Sequence, residues 1–226
     1  MELSPAIVLA MWAAGLAAAV AVVAWWDVVG PGYVWLGGGV ALLFGLPAIA
    51  AGSGAWAVVG SIAVAVGTLL GRFRMVAVVG IGAGATGFLV AAMTDTTPVL
   101  AVTGALFLGG ITSEMMLGHW FLVDPRLPRW ALKRLDAAGA LGGAADAVAL
   151  VVLGAIPWAE GDLVVGAGFL LLAVTTLVLA GAVWASLGEP GYSGVMAATG
   201  LSYLATLTAV GAAVVGRLLL EGPVLS

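Results

Sequence analysis

Few side chains in this 226-residue sequence can do acid–base or ligand chemistry, and the most telling of them lie inside long apolar stretches. Glu114 and Asp146 are the clearest cases. An ionisable side chain in hydrocarbon costs at least about 2.5–3.5 kcal/mol, so it faces protein or water and finds a partner. Counted at 1.5 Å per residue from Val123 and from Asp136, Glu114 lies roughly 13 Å deep and Asp146 about 15 Å. That predicts one layer of an antiparallel hairpin, where two carboxyls share a proton or hold a cation. The same arithmetic brings Thr175, Thr176 and Tyr203 to a similar depth. Thr199, Ser202, Tyr203 and Thr206 recur at three- and four-residue spacing, which is one helical face. The plainer account of that stripe is hydroxyls bonding their own backbone or holding helices together.

His119 closes the densest polar segment, Thr112-Ser113-Glu114-Met115-Met116-Leu117-Gly118-His119-Trp120. A sole histidine excludes a bis-histidine haem within one chain. It leaves a His–Met haem b, with Met75 or Met196 near the same membrane edge, or a proton relay. Against these stands an interfacial histidine in the aromatic belt beside Trp120. Five residues separate it from Glu114, about 140° round a helix, so the two need not face one partner.

The stretch 124–135 holds Arg126, Arg129, Lys133 and Arg134 among two prolines and Trp130. Residues Trp130 to Leu135 predict a basic amphipathic turn at the membrane surface. Such a cluster attracts anionic lipid at about 1 kcal/mol per basic residue, docks a partner, or simply holds topology.

Other chemistry is excluded by composition. The sequence has no cysteine, which removes thiolate nucleophiles, zinc–thiolate sites and iron–sulfur clusters. Gly80-Ile81-Gly82-Ala83-Gly84-Ala85 lies on no strand–turn–helix unit and is not a nucleotide loop. No convincing nucleophile–base pair or metalloprotease helix appears, so an intramembrane enzyme is the third reading, behind transport and a redox-complex subunit. The net charge of −4 is spread too thinly for a nucleic-acid partner.

These residues must be positioned by membrane helices. Apolar residues make up 63% and charged residues 8%, with no asparagine or glutamine, too little polarity to cover a water-soluble fold. A crossing needs about 20 apolar residues. Spans are expected near 6–26, 33–52, 55–71, 75–93, 98–123, 136–157, 163–187 and 194–219, separated by turn residues such as Gly30-Pro31-Gly32 and Gly52-Ser53-Gly54. The third is the shortest, and fusing it to the second would give seven. The amino terminus lacks a basic leader region, so the first apolar run is expected to be retained.

Basic residues set orientation. Arg72 and Arg74 fall two crossings from the Arg126–Arg134 group, whereas the loops with Asp95, and with Glu160 and Asp162, carry no basic residue. Both termini are therefore expected outside a cell (inner) membrane, with Arg217 alone on the unfavoured side. Trp25-Trp26-Asp27 with Pro31 and Trp35 echoes Trp120 with Asp124-Pro125 and Trp130. Val40-Ala41-Leu42-Leu43 before Pro47 echoes Val148-Ala149-Leu150-Val151 before Pro157. Two tandem four-helix units, 6–93 and 98–219, would give such echoes, as would chance in an apolar sequence. Gly37-Gly38-Gly39, Gly80 with Gly84, and Gly139 with Gly142-Gly143 provide faces for close helix packing.

The expectation is an all-α, polytopic transmembrane bundle of about eight spans. Its leading function is a small secondary permease or exporter of a solute or ion, with a carboxylate pair as the proton or cation site. The rival is a membrane subunit of a respiratory or other redox complex, binding haem or quinone at His119. A membrane-protein partner or a second copy fits either. Because the chain has no native cysteine, Asp95→Cys is expected to react with an impermeant thiol reagent from outside and Arg129→Cys only from the cytoplasm; reversed labelling would overturn the orientation.

Overall fold

The computed structural model describes residues 5–155 and 163–220. The expected acidic loop with Glu160 and Asp162, and the Pro157 of the repeat, lie outside the described residues. Eight helices follow one another: α1 (Pro5–Trp25), α2 (Pro31–Ala50), α3 (Gly54–Leu69), α4 (Arg74–Asp95), α5 (Pro98–Trp120), α6 (Arg129–Val152), α7 (Leu163–Ser186) and α8 (Tyr192–Leu220). Seven are long and apolar enough to cross a membrane, and the chain is a multi-pass membrane protein.

Local chemistry explains most boundaries. Proline opens α2 and α5, where its missing N–H has no helical partner to lose. Thr97 caps α5, its hydroxyl accepting from the Leu100 N–H. Gly52 and Gly54 hold positive φ on either side of Ser53, a turn that a side chain would strain. The largest departure is α6. It begins at Arg129, directly after Pro128, and not near 136. The expected surface turn of Trp130 to Leu135 is thus the start of the span itself.

α3 has 16 residues, about 24 Å against a hydrocarbon core of about 30 Å. It still runs the length of the bundle. At its start the Ser53 hydroxyl donates to the Ala6 carbonyl of α1 at 3.3 Å, and just past its end Gly71 abuts the Trp35 indole of α2. The eight helices therefore alternate in direction. One end, the basic end, gathers Arg74 bonded to Asp27 at 2.9 Å and Trp26 packed edge-on against Trp130. The far end gathers the start of α1, the start of α5 and the close of α8.

Each half closes on itself. α1 packs on α2 and α4, and α3 on the same two; α5 packs on α6 and α8, and α7 on the same two. The halves meet where α1 crosses α5. There Gly15 lies so close that a Cβ would fall on the Ala105 carbonyl and 2.8 Å from the Gly109 Cα. Gly110 and Gly139 bring α5 and α6 equally near, with a Cβ on Gly110 only 2.5 Å from the Gly139 Cα. Gly84 does the same against the Gly60 carbonyl of α3, at 2.7 Å. Lipid tails are as apolar as these side chains, so close van der Waals contact holds the helices together. Within the expected glycine triplet, Gly37 and Gly38 abut Val20 and Thr68, whereas Gly39 faces open space. Gly15→Ala is accordingly expected to destabilise the bundle by at least about 1–3 kcal/mol, and Gly39→Ala or Gly200→Ala to change it by less than about 0.5 kcal/mol, read as thermal unfolding in detergent.

Candidate functional site

The early start of α6 reorganises the expected carboxylate layer. Moving the helix start back by seven residues carries Asp146 about 10 Å further along the axis, toward the far end. Glu114 stays near the basic end, six residues before the close of α5. Thr103, which donates to Asp146 Oδ1 at 2.7 Å, sits eleven residues before Glu114 on the same helix, an axial offset of about 16 Å. The two carboxyls do not form a pair. They head two separate polar centres.

The far-end centre is an ion pair. Arg217 of α8 grips Asp146 with both terminal nitrogens, Nη1 to Oδ2 at 2.5 Å and Nη2 to Oδ1 at 2.8 Å. Nη2 also donates to the Leu100 carbonyl of α5 at 2.8 Å and rests against the Met11 sulfur of α1 at 3.4 Å. Both side chains are 2% exposed. Gly104 makes the room: a Cβ there would lie 2.5 Å from Nη2 and 2.7 Å from the Met11 sulfur. Four helices are thus tied through one guanidinium. In the sequence Arg217 stands out only as a charge on the unfavoured side, and its distance of 71 residues from Asp146 hides the pairing.

The basic-end centre is built around Glu114, 1% exposed. Oε2 accepts from the Ser202 hydroxyl of α8, while Oε1 has no hydrogen-bond partner. The Tyr33 hydroxyl of α2, fully buried and likewise unpartnered, lies within Coulombic reach of this carboxyl. So does Asp136 of α6, which the shifted helix start carries inward to the level of Glu114. Four helices again converge, including one from the first half. Ser113, next to Glu114 in sequence, is a second buried hydroxyl without a partner. Nearby, Trp12 of α1 donates to the Thr112 hydroxyl at 3.0 Å. The arrangement offers oxygen ligands, which suit a proton or a small cation.

The other expected residues scatter. Tyr203 is one residue beyond Ser202 and so turns about 100° away; it is 48% exposed, with its hydroxyl 3.5 Å from Nδ1 of His119. It lies outside the Glu114 centre. His119 itself is exposed at the end of α5. Thr176 is buried and donates to the Leu172 carbonyl and to the Thr208 hydroxyl, each at 2.8 Å, gluing α7 to α8. Thr175 is half-buried. Thr199 and Ser202 bond their own helix, at 2.9 and 2.8 Å, and so does Thr206 at 2.9 Å. Thr206 also reaches the Met115 sulfur at 3.6 Å. Ser202 alone of the stripe touches a carboxyl.

The four basic residues of the loop have different employments. Arg126 bonds Asp124, whose carboxyl is held below the usual carboxylate range by the Arg126 backbone N–H and guanidinium. Arg129 donates to the Glu189 and Gly191 carbonyls, bracing the turn between α7 and α8. Lys133 lies 5.1 Å above the Trp184 ring. Arg134 stacks on Trp130 at 4.7 Å and Trp26 at 5.7 Å. Among the described residues Arg134 makes no ion pair.

No family model, curated protein or solved structure matches this chain. Breaking a buried ion pair by removing one partner leaves an uncompensated charge, at about 3–5 kcal/mol. Arg217→Met and Asp146→Leu are each expected to lose that much, and the double variant much less than the sum, in a double-mutant cycle of unfolding in detergent.

Proposed function

We propose that the chain is a small secondary permease or exporter whose proton or cation site is the Glu114 centre. The observation that carries this reading is a buried carboxyl with one oxygen bonded to Ser202 and the other unpartnered, with Tyr33 and Asp136 within Coulombic reach. A carboxyl so placed is satisfied by binding a proton or a cation, and an intramembrane site of that kind marks an ion or substrate path. Asp146, engaged with Arg217, drops out of the coupling role. Between the two centres the α5-facing side of α8 carries Ala209, Ala212 and Ala213, all buried. In this reading the alanine seam is the closed part of the path, and the ion pair is its outer fastening.

The basic residues at one end support an orientation with Glu114 nearer the cytoplasm and both termini outside. Two four-helix rings with the same order of neighbours are the arrangement a tandem repeat would make, with the site at the junction of the halves as in other repeat-built transporters. The redox-subunit reading has less support, since His119 is exposed and is not part of the lining of the cleft that the bundle forms.

In sealed proteoliposomes the wild-type protein is expected to dissipate an imposed proton or sodium gradient, read with an internal pH dye or sodium dye. Glu114→Gln should abolish that flux while leaving insertion and thermal stability close to wild type. A hydrophobic carbodiimide should label Glu114, with protection by sodium identifying a cation site and protection by raised pH alone a proton site. Flux unchanged in Glu114→Gln would overturn the proposal.

A further inference from the structure

One opening in the structure has none of the four carboxyl and guanidinium groups of the two polar centres in its lining. It is a cleft of about 600 Å³ between the halves, floored by α1 and walled by α4 on one side and by α5 and α6 on the other. Small residues keep it open: Ala18 and Gly82 line it, and a Cβ on Gly82 would meet nothing closer than 3.9 Å. Its lining is apolar over nearly its whole length. The charged residue in it is Arg134, at the basic end, where Trp25 and Trp26 also reach it.

Two features decide what such a slot would take. The floor from Ala14 to Trp26 spans about 18 Å along α1, close to half of a hydrocarbon core of about 30 Å. The slot therefore matches one leaflet, with its polar mouth at the headgroup level of that leaflet. The second feature is charge. Of the four basic residues in this region, Arg126 is bonded to Asp124, Arg129 to backbone carbonyls, and Lys133 lies over the Trp184 ring away from the cleft lining; Arg134 lines the cleft and stacks on two indoles, its charge unmatched by any carboxylate among the described residues. A planar guanidinium fixed on aromatic faces presents its N–H groups for paired hydrogen bonds to a phosphate.

We propose that this cleft is a binding site for one anionic glycerophospholipid, its acyl chain in the slot over Ala18 and Gly82 and its phosphate on Arg134. The site couples the two halves, because the chain would touch α1 and α4 on one side and α5 on the other. It selects the headgroup by charge and holds the tail by shape.

The test uses the full-length protein in mild detergent, titrated with phosphatidylglycerol or phosphatidylcholine and read by native mass spectrometry and thermal stability. Wild type is expected to retain phosphatidylglycerol about fivefold more tightly, the increment of one cation near a lipid surface. Arg134→Gln should make the two lipids equal, while Arg126→Gln keeps the preference. Ala18→Trp should fill the slot and reduce retention of both lipids. Equal binding by wild type, or a preference surviving Arg134→Gln, would overturn the proposal. A dimer that Ala18→Trp dissociates would also overturn it, by giving the slot to a second copy of the chain.

Discussion

One guanidinium organises the far half of this bundle. In water a helix pair is driven together by hiding apolar surface, but lipid removes that drive and leaves contact, hydrogen bonds and charge. Arg217 supplies the last two at once, joined to Asp146 of α6, the Leu100 carbonyl of α5 and the sulfur of Met11 on α1. Neither charge is tolerable there alone. The pair therefore fixes the register of α8 against α6 as well as its position, since a slip of one residue would turn the guanidinium about 100° away from its partner. Two hydroxyl bonds add to it at that end, Thr103 to Asp146 and Ser53 to the Ala6 carbonyl.

With that end fastened, the basic end is free to differ. Glu114 is bonded to a single hydroxyl, and the buried Tyr33 hydroxyl within Coulombic reach of it is unsatisfied in the same way. The contrast lies between the two carboxyls, since Arg217 Nε at the far end is itself without a hydrogen-bond partner. The Asp146 carboxylate is matched by charge and hydrogen bonds, whereas the Glu114 centre carries more acceptors and donors than it uses. A structural site tends to the first condition, and a site that must bind and release something to the second.

Much of this is legible in the residues. The scarcity of charge requires a membrane, the Gly-Pro and Gly-Ser-Gly turns set most helix limits to within a few positions, and Glu114 and Asp146 stand out as needing partners. Which partners they have is not legible. The register of α6 turns on whether the basic stretch after Pro128 is a loop or the first turns of a span; a segment of Arg, Trp, Leu and Lys suits either, and periodicity does not separate the two. Taken as loop, it sets Asp146 beside Glu114 and leaves Asp136 at the surface, when Asp136 is the residue at that level. Arg217 and Tyr33 are far from both carboxyls in the chain, and no local pattern marks them. Depth alone draws Tyr203 toward the carboxyls, and depth says nothing about which way a side chain points.

The crossing of α1 with α5 bears on how the chain assembles. α1 is the most apolar of the long helices, with mean hydropathy 2.4 and no charged residue, yet most of its surface ends against protein. Two of its main neighbours, α4 and α5, come later in the chain, separated from it by two and three complete helices. During synthesis the glycine face at Gly15 must therefore wait in contact with lipid, and alanine and valine make that wait harmless. Both buried carboxyls, Glu114 and Asp146, precede their partners Ser202 and Arg217, which arrive together on α8. The last helix to be made is thus the one that completes both polar centres, and until it enters each carboxyl stands without that partner.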